Sequence, residues 1–289
     1  MIARRDTIGH LLNLEAPPVP ARSGEALNLT LDIDLQRKCD ALLQGEQGSI
    51  VVLDADTGAV LALASAPGYD PSVFVNRGAT EERLALLSGQ KPNRMTHRAF
   101  REVYPPGSVF KIMLAAAGLE ENLINASTRF HCSGSYAIDG KGRRWNCWNR
   151  HGHGSLNVVE SLAFSCDVFF YSLGRRLEVD RIVAYSKLMG LGVPTGIDIA
   201  GESAGLIPGR EWKAAMHADK PAWEKQWYPG ETVNLSIGQG SCTTTPLQVT
   251  VMMACIVNGG YRVQPFLRQE AGPKRSEKLF SDNTIKTVT

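Results

Sequence analysis

The stretch "GSIVVLDADTGAVLALAS", from Gly48 to Ser65, constrains the fold most. Two β-rich runs flank Asp54-Ala55-Asp56-Thr57-Gly58, a turn-forming cluster, so a hairpin is predicted here. Val51–Leu53 and Val60–Leu63 are apolar at every position. A strand with one wet face alternates polar and apolar residues, whereas a strand apolar on both faces is covered on both. Helices must therefore lie against this hairpin. Just before it, "LNLTLDIDLQRKCDALL" passes from strand-like alternation to helical spacing, with Leu35, Cys39, Leu42 and Leu43 on one side.

Other elements follow the same signals. A helix is predicted from near Ser108 to about Glu121, and a second hairpin in "GSYAIDGKGRRWNCW" with its turn at Asp139-Gly140-Lys141-Gly142. Asn157 and Glu160 form a capping box at the start of a further helix. "VDRIVAYSKLMGLG" reads as an amphipathic helix stopped by glycine. Thr245-Pro246 opens a helix that ends at Asn258-Gly259-Gly260. Residues 191–240 read as loop-rich, and residues 1–24, with "APPVPARSG", as an extended linker. There is no internal repeat and no regular βαβ alternation, so the fold class is α+β.

With 289 residues, 43% of them hydrophobic, the chain can bury a sizeable core. A net charge of +2 and the lack of any Lys/Arg run leave no footprint for nucleic acid. The longest apolar run, around Val251–Val257, is too short to span a bilayer, and "IARRDTIGHLL" after Met1 does not read as a secretory signal. Six cysteines are too few for a disulfide scaffold of this size.

In "YPPGSVFKIMLAAAGLE" a Pro-Pro-Gly turn leads into Ser108, with Lys111 three residues on. Residues three apart on a helix share a face, which puts the Lys111 amine within reach of the Ser108 hydroxyl. A serine needs a base to act as a nucleophile, and a helix N-terminus offers N–H groups where an oxyanion could develop. The alternative is that Ser108 only caps the helix and Lys111 is solvated. "SCD", Ser165-Cys166-Asp167, lies 57 residues after Ser108 inside the apolar "LAFSCDVFFYSL". Polar groups so placed need partners. They are either a site or a buried Ser/Asp pair.

Ser-x-x-Lys followed by a Ser-x-Asn-like block matches the motif order of penicillin-binding proteins and serine β-lactamases, here with Asp in place of Asn. With "LTLDIDLQ", "VVLDADTGAVLALASAPGYDP", "YPPGSVFK", "SCDVFFY", "TGIDIAGESAG", "WYPGETVNLSIGQG" and "TTPLQ", the chain resembles the transpeptidase domain of a class B penicillin-binding protein of the elongation (rod-shape) type. These blocks span most of residues 25–265. The resemblance implies an antiparallel sheet flanked by helices over residues 25–289, and D,D-transpeptidation of peptidoglycan stem peptides ending in D-Ala-D-Ala. It implies Ser108 as nucleophile, Lys111 as its base, Ser165 as proton relay and Asp167 as their orienter. β-Lactams would acylate Ser108, and no cofactor serves catalysis. Gly238, Gln239 and Gly240, in "SIGQG", would lie near the substrate.

The family's third motif, Lys-Thr/Ser-Gly, is expected beyond Thr289, since the only "KT", Lys286-Thr287, is followed by valine. The chain is therefore expected to lack its last strands and C-terminal helix, and to be a poor catalyst as it stands. Ser281-Asp282-Asn283 is read as a chance match. The resemblance further implies a membrane anchor and pedestal before residue 25, a place on the periplasmic face of the inner membrane, and partnership with a rod-shape glycosyltransferase and other elongation proteins. The other readings are a non-catalytic penicillin-recognising sensor domain, and a serine β-lactamase, for which no deacylating base is found.

Cys132, Cys147, His153 and Cys166 follow the spacing C-x14-C-x5-H-x12-C. This is no zinc-finger pattern, yet the predicted hairpin would bring Cys132 and Cys147 together, and His153 precedes the helix carrying Cys166. Structural zinc is one reading. A Cys132–Cys147 disulfide and free thiols are the others, and His151 is an alternative to His153. Trp145, Trp148 and Trp227 are read as packing residues or as the lining of a peptide groove. Cys39, Cys242 and Cys255 are assigned to the core.

Overall fold

The computed structural model describes residues 3–5, 7, 11–14, 22–76, 78–89, 91–138 and 142–289. Near the start, β1 (Ala3–Arg5) pairs antiparallel with β2 (Leu11–Leu14). Most of "APPVPARSG" lies outside the described residues. Asp32 then caps α1 (Ile33–Leu42), its carboxylate accepting from Asp34 N and Leu35 N.

The first hairpin forms as its sequence demands. β3 (Gly48–Leu53) pairs antiparallel with β4 (Val60–Ala66), from Gly48↔Ala66 to Val52↔Ala62. In the turn, Asp54 accepts from Thr57 N (2.8 Å) and Thr57 Oγ1 (2.7 Å), the local bonding that makes Asp a turn residue. A register shift between Val52 and Leu53 places Val60 opposite Leu53. Ile50, Val52, Ala62 and Ala64 consequently face α1 with Cys39, while Val51, Leu53, Val60 and Leu63 face Phe100, Ile197 and Leu247. Both faces are covered. In α1, however, Leu35, Cys39 and Leu43 pack inward while Leu42 is exposed, because its position on the helix turns it past the hairpin.

After α2 (Thr80–Leu87), the chain returns to the middle of the molecule as α3 (Phe110–Glu120). Every residue of α3 from Met113 to Leu119 is buried. Four short strands follow: β5 (Phe130–Cys132), β6 (Ser135–Ala137), β7 (Arg144–Asn146) and β8 (Gly154–Leu156). β6 pairs with β7, making the second predicted hairpin, whose turn at Asp139–Lys141 lies outside the described residues. β5 pairs with β8, so Cys132 stands opposite Gly154.

Asn157 and Glu160 form the predicted capping box of α4 (Val158–Ala163). The long α5 (Asp167–Leu188) lies against α3, joining Phe169, Phe170 and Leu173 to Phe110, Met113 and Leu114 in the main core. Each such large apolar side chain contributes about 1.5–3 kcal/mol on burial. The helix is broken at Glu178 (φ 63°, ψ 160°), so "VDRIVAYSKL" is a separate helical piece, ended as predicted before Gly190.

Residues 191–240 hold more helix than their Pro and Gly content suggests: α6 (Arg210–Met216), α7 (Ala222–Lys225) and α8 (Pro229–Leu235). They are short, and tertiary packing, of α8 against α5 and of α6 against α7, supports them where sequence periodicity could not. Thr245 and Gln248 cap α9 (Pro246–Val257), after which β9 (Tyr261–Val263) pairs with β10 (Arg275–Lys278). Ser281 caps α10 (Asp282–Val288) and donates from Oγ to Glu120 Oε1 at 2.7 Å, so "SDN" is a helix start holding α10 to α3. Among the described residues all sheets are two-stranded and antiparallel, and no helix is long and apolar enough to cross a membrane.

Candidate active site

Ser108 lies in a single 3-10 turn, Gly107–Val109, that feeds α3. Two contacts hold this turn from behind. Tyr104 exchanges backbone hydrogen bonds with Thr244 (2.8 and 2.9 Å), and Gly107 N donates to Gly238 O at 3.0 Å. A Cβ at Gly238 would lie 2.5 Å from Gly107 O, so only glycine lets these backbones meet. Val109 occupies the N-cap position of α3, and no side chain caps it. The Ser108 hydroxyl is thus free of the capping role.

Its partner is Ser165, whose hydroxyl lies 3.0 Å from Ser108 Oγ. Lys111 is buried, 1% exposed. Its Nζ donates to Asp167 Oδ1 (2.6 Å), Ser165 Oγ (3.0 Å) and Ser165 O (2.9 Å). The helical spacing places Lys111 on the Ser108 side, but the amine ends on Ser165 and Asp167. A carboxylate is the stronger partner for a buried ammonium, so Ser165 comes to bridge Lys111 and Ser108.

Ser165 and Asp167 occupy the junction of α4 and α5. Asp167 is the first residue of α5, where the helix dipole favours negative charge. Its second oxygen, Oδ2, accepts from Trp148 N at 2.9 Å. Ser165 has φ 49°, a left-handed conformation sparsely populated by serine. Cys166 between them is fully buried, and desolvation pushes its thiol up to about 12.

An open cavity of about 410 Å³ lies over this constellation. Its walls include Ser108, Asn146, Trp148, Arg150, Asp167 and Gln239. Of the "GQG" residues, Gln239 faces the cavity, Gly238 backs the Ser108 turn, and Gly240 lies against Asn234. Trp148 is exposed, with Nε1 donating to Phe164 O at 3.0 Å. Trp145 and Trp227 instead pack, their Nε1 atoms donating to Asn234 Oδ1 (3.1 Å) and Thr232 Oγ1 (2.8 Å). The roles of Asn146, Arg150 and the Trp148 N–H are not legible in the sequence, where "WNCWNR" carries no spacing rule.

Behind the cavity, the ligand atoms of Cys132, Cys147, His153 and Cys166 lie within 4.8 Å of one another. His153 Nδ1 is 3.5 Å from Cys147 Sγ and 3.7 Å from Cys132 Sγ. The cluster touches the catalytic constellation twice through the chain. Cys147 precedes Trp148, which holds Asp167, and Cys166 separates Ser165 from Asp167. His151 stays outside, exposed in the loop. All six cysteines are unpaired thiols, and Cys39, Cys242 and Cys255 are core residues.

The family model for the penicillin binding protein transpeptidase domain matches residues 48–289. Peptidoglycan D,D-transpeptidase MrdA of Escherichia coli K12 is 38% identical over 250 residues, covering 86% of this chain and 38% of that protein. The chain thus spans less than half the length of this relative. The structure of Pseudomonas aeruginosa PBP2 in complex with WCK 5153 superposes with a TM-score of 0.81 at 32% identity, covering 91% of this chain and 60% of that one. Penicillin-binding protein PBP2 of Helicobacter pylori, solved in complex with MreC, gives a TM-score of 0.83 at 27% identity, over 99% and 52% of the two chains. A Ser-x-x-Lys helix start with its lysine buried, a Ser-x-Asp turn closing on it, and a sequence match across both place this chain in the penicillin-binding-protein transpeptidase family.

Proposed function

We propose that this chain carries the acyl-transfer site of an elongation-type peptidoglycan D,D-transpeptidase. The observation that carries this reading is the continuous hydrogen-bonded path Ser108–Ser165–Lys111–Asp167 on the floor of an open cavity. Ser108 Oγ would attack the carbonyl of the penultimate D-Ala. Its proton would pass to Ser165 Oγ, while the proton of Ser165 passes to Lys111 Nζ once that ammonium has given a proton to Asp167 across their 2.6 Å contact. The amide C–N bond then breaks, the terminal D-Ala leaves with a proton returned along the same path, and an ester remains on Ser108. The amine of a neighbouring stem peptide attacks that ester and releases Ser108. Asp167, fixed by the Trp148 N–H, keeps Lys111 and Ser165 in line throughout. Ser108 N, in the turn that feeds α3, would donate to the oxyanion. β-Lactams would acylate the same oxygen.

A fluorescent penicillin tests this reading on a gel. Ser108 should be labelled in the wild-type chain and not in Ser108→Ala. Absence of any Ser108-dependent label overturns it and favours a non-acylating sensor domain. Rapid loss of label favours a β-lactamase.

The Cys/His cluster is proposed to hold structural zinc. In a tetrahedral site with Zn–S and Zn–N bonds of about 2.3 and 2.0–2.1 Å, ligand atoms stand roughly 3.5–3.8 Å apart. The S···N distances of 3.5 and 3.7 Å suit that donor set. Zinc would tie β5, the β7–β8 loop and the head of α5 together and has no part in the acyl transfer. Metal analysis should find one zinc per chain. Cys147→Ser should lose it and lower the melting temperature, as should a strong chelator.

By analogy with the elongation-type family the protein would act on the periplasmic face of the inner membrane. A glycosyltransferase and elongation proteins are its proposed partners, as MreC is for the Helicobacter protein.

A further inference from the structure

The charged groups lining the catalytic cavity are Asp167 and Arg150. Asp167 is neutralised by Lys111 at 2.6 Å. Arg150 is not: among the described residues its guanidinium forms no ion pair. It is exposed at the cavity wall. The cavity as a whole therefore presents one uncompensated positive charge beside Ser108.

Arg150 is also held in place. Asn149 pins the loop, donating from Nδ2 to Gly152 O at 2.9 Å and accepting His151 N at 3.1 Å. The Arg150 carbonyl lies so near Gly134 that a Cβ there would stand 2.1 Å from it. The loop is thus braced against the β5–β6 connection on one side and begins next to Cys147 and Trp148 on the other. An exposed arginine with no ion pair among the described residues, on a braced loop at the wall of the Ser108 cavity, suits recognition of a planar anion by its guanidinium fork.

We infer that Arg150 is a specificity residue that binds a carboxylate of the peptide substrate at the mouth of the Ser108 cavity. This rests on the transpeptidase reading. A stem peptide offers that chemistry from two sources, the terminal D-Ala carboxylate and a carboxylate carried further up the peptide. The exposed face of the Trp148 indole, on the same wall, would pack beside the peptide backbone.

The test separates this inference from the acylation reading by using Ser108→Ala protein, which binds without reacting. Ligand-observed NMR titrations would compare diacetyl-Lys-D-Ala-D-Ala with its C-terminal amide. A second pair of tetrapeptides, both amidated at the C-terminus, would carry a γ-linked D-Glu with its α-carboxylate free or amidated. With Arg150 present, the carboxylate member of one pair should bind on the order of 3- to 10-fold tighter than its amide, as expected for a partly exposed charged hydrogen bond. Adding Arg150→Gln should erase that preference, and Arg150→Lys should keep part of it. The pair that responds identifies the source. The inference is overturned if neither pair shows a preference with Arg150 present, or if Arg150→Gln leaves the preference unchanged. An unaltered melting temperature in Arg150→Gln would establish that folding is not the cause.

Discussion

Ser165 carries two demands at one position. Its hydroxyl bridges Ser108 and Lys111, and its backbone sits at φ 49°. Strain of this kind costs of order 1–3 kcal/mol and persists where the surroundings over-determine it. Here Lys111 Nζ grips the Ser165 carbonyl at 2.9 Å, and Cys166 N donates to Ser161 O at 2.9 Å. Two substitutions should separate the demands. Ser165→Ala and Ser165→Gly should both slow penicillin acylation by roughly 100-fold or more, as loss of a proton-transfer group does. Ser165→Gly should nevertheless be the more stable by about 1 kcal/mol, because glycine tolerates positive φ. Stopped-flow acylation with thermal melts measures both. Equal stabilities would show that the turn is unstrained.

Within α5, the same reasoning applies to Glu178. At φ 63°, ψ 160° it occupies a region almost reserved for glycine. The break turns the second half of the helix, so that Val179 and Ile182 join the core beside Leu177. Glu178→Gly should therefore stabilise the protein, by about 1 kcal/mol after the entropy cost of glycine, raising the melting temperature by about 2–4 °C. A lower melting temperature would mean that the glutamate side chain contributes more than the backbone loses. "YSLGRRLEVDRIVAYSKL" carries no proline or glycine at the break, so periodicity alone runs straight through it. Packing against α3 and α8 decides the turn, and a local pattern cannot encode that.

Across the whole molecule, two carboxylates join parts of the chain that lie far apart in sequence. Glu120 accepts from Ser281 N and Oγ, and Asp198 accepts from Leu267 N, Arg268 N and Arg268 Nε. Burial pulls both acids up, but these hydrogen bonds, with that of Thr284 to Glu120, outweigh it and hold both below the usual carboxylate range. Groups depressed in the folded state bind protons more readily when unfolded. Their stabilisation is complete above the unfolded value, near 4, and is lost as pH falls through the folded one. Chemical denaturation from pH 6 to pH 3 should show stability falling below about pH 4. Asp198→Asn with Glu120→Gln should be less stable at pH 6 and flatter across this range. An unchanged slope would assign the acid sensitivity elsewhere.

Much of the architecture was legible in the chain. The doubly apolar hairpin required cover on both faces and has it, and the capping box at Asn157 and the Thr245-Pro246 start open helices where they stand. Such features are local: a turn, a cap or a period depends on neighbours within a few residues. Motif order likewise singled out Ser108, Lys111, Ser165 and Asp167, and the structure brings them together.

What the sequence could not determine was who bonds to whom. Spacing put Lys111 beside Ser108; the tertiary structure gives it to Asp167 and Ser165, because a carboxylate arriving from 56 residues away outcompetes a hydroxyl nearby. Leu42 follows the helical period and is still exposed, since the hairpin does not extend beneath it. The Cys/His cluster, the Trp148 N–H on Asp167 and the Arg150 charge beside Ser108 all depend on strands β5 to β8 closing over the head of α5. That closure is a matter of packing between distant segments, which only the folded chain decides.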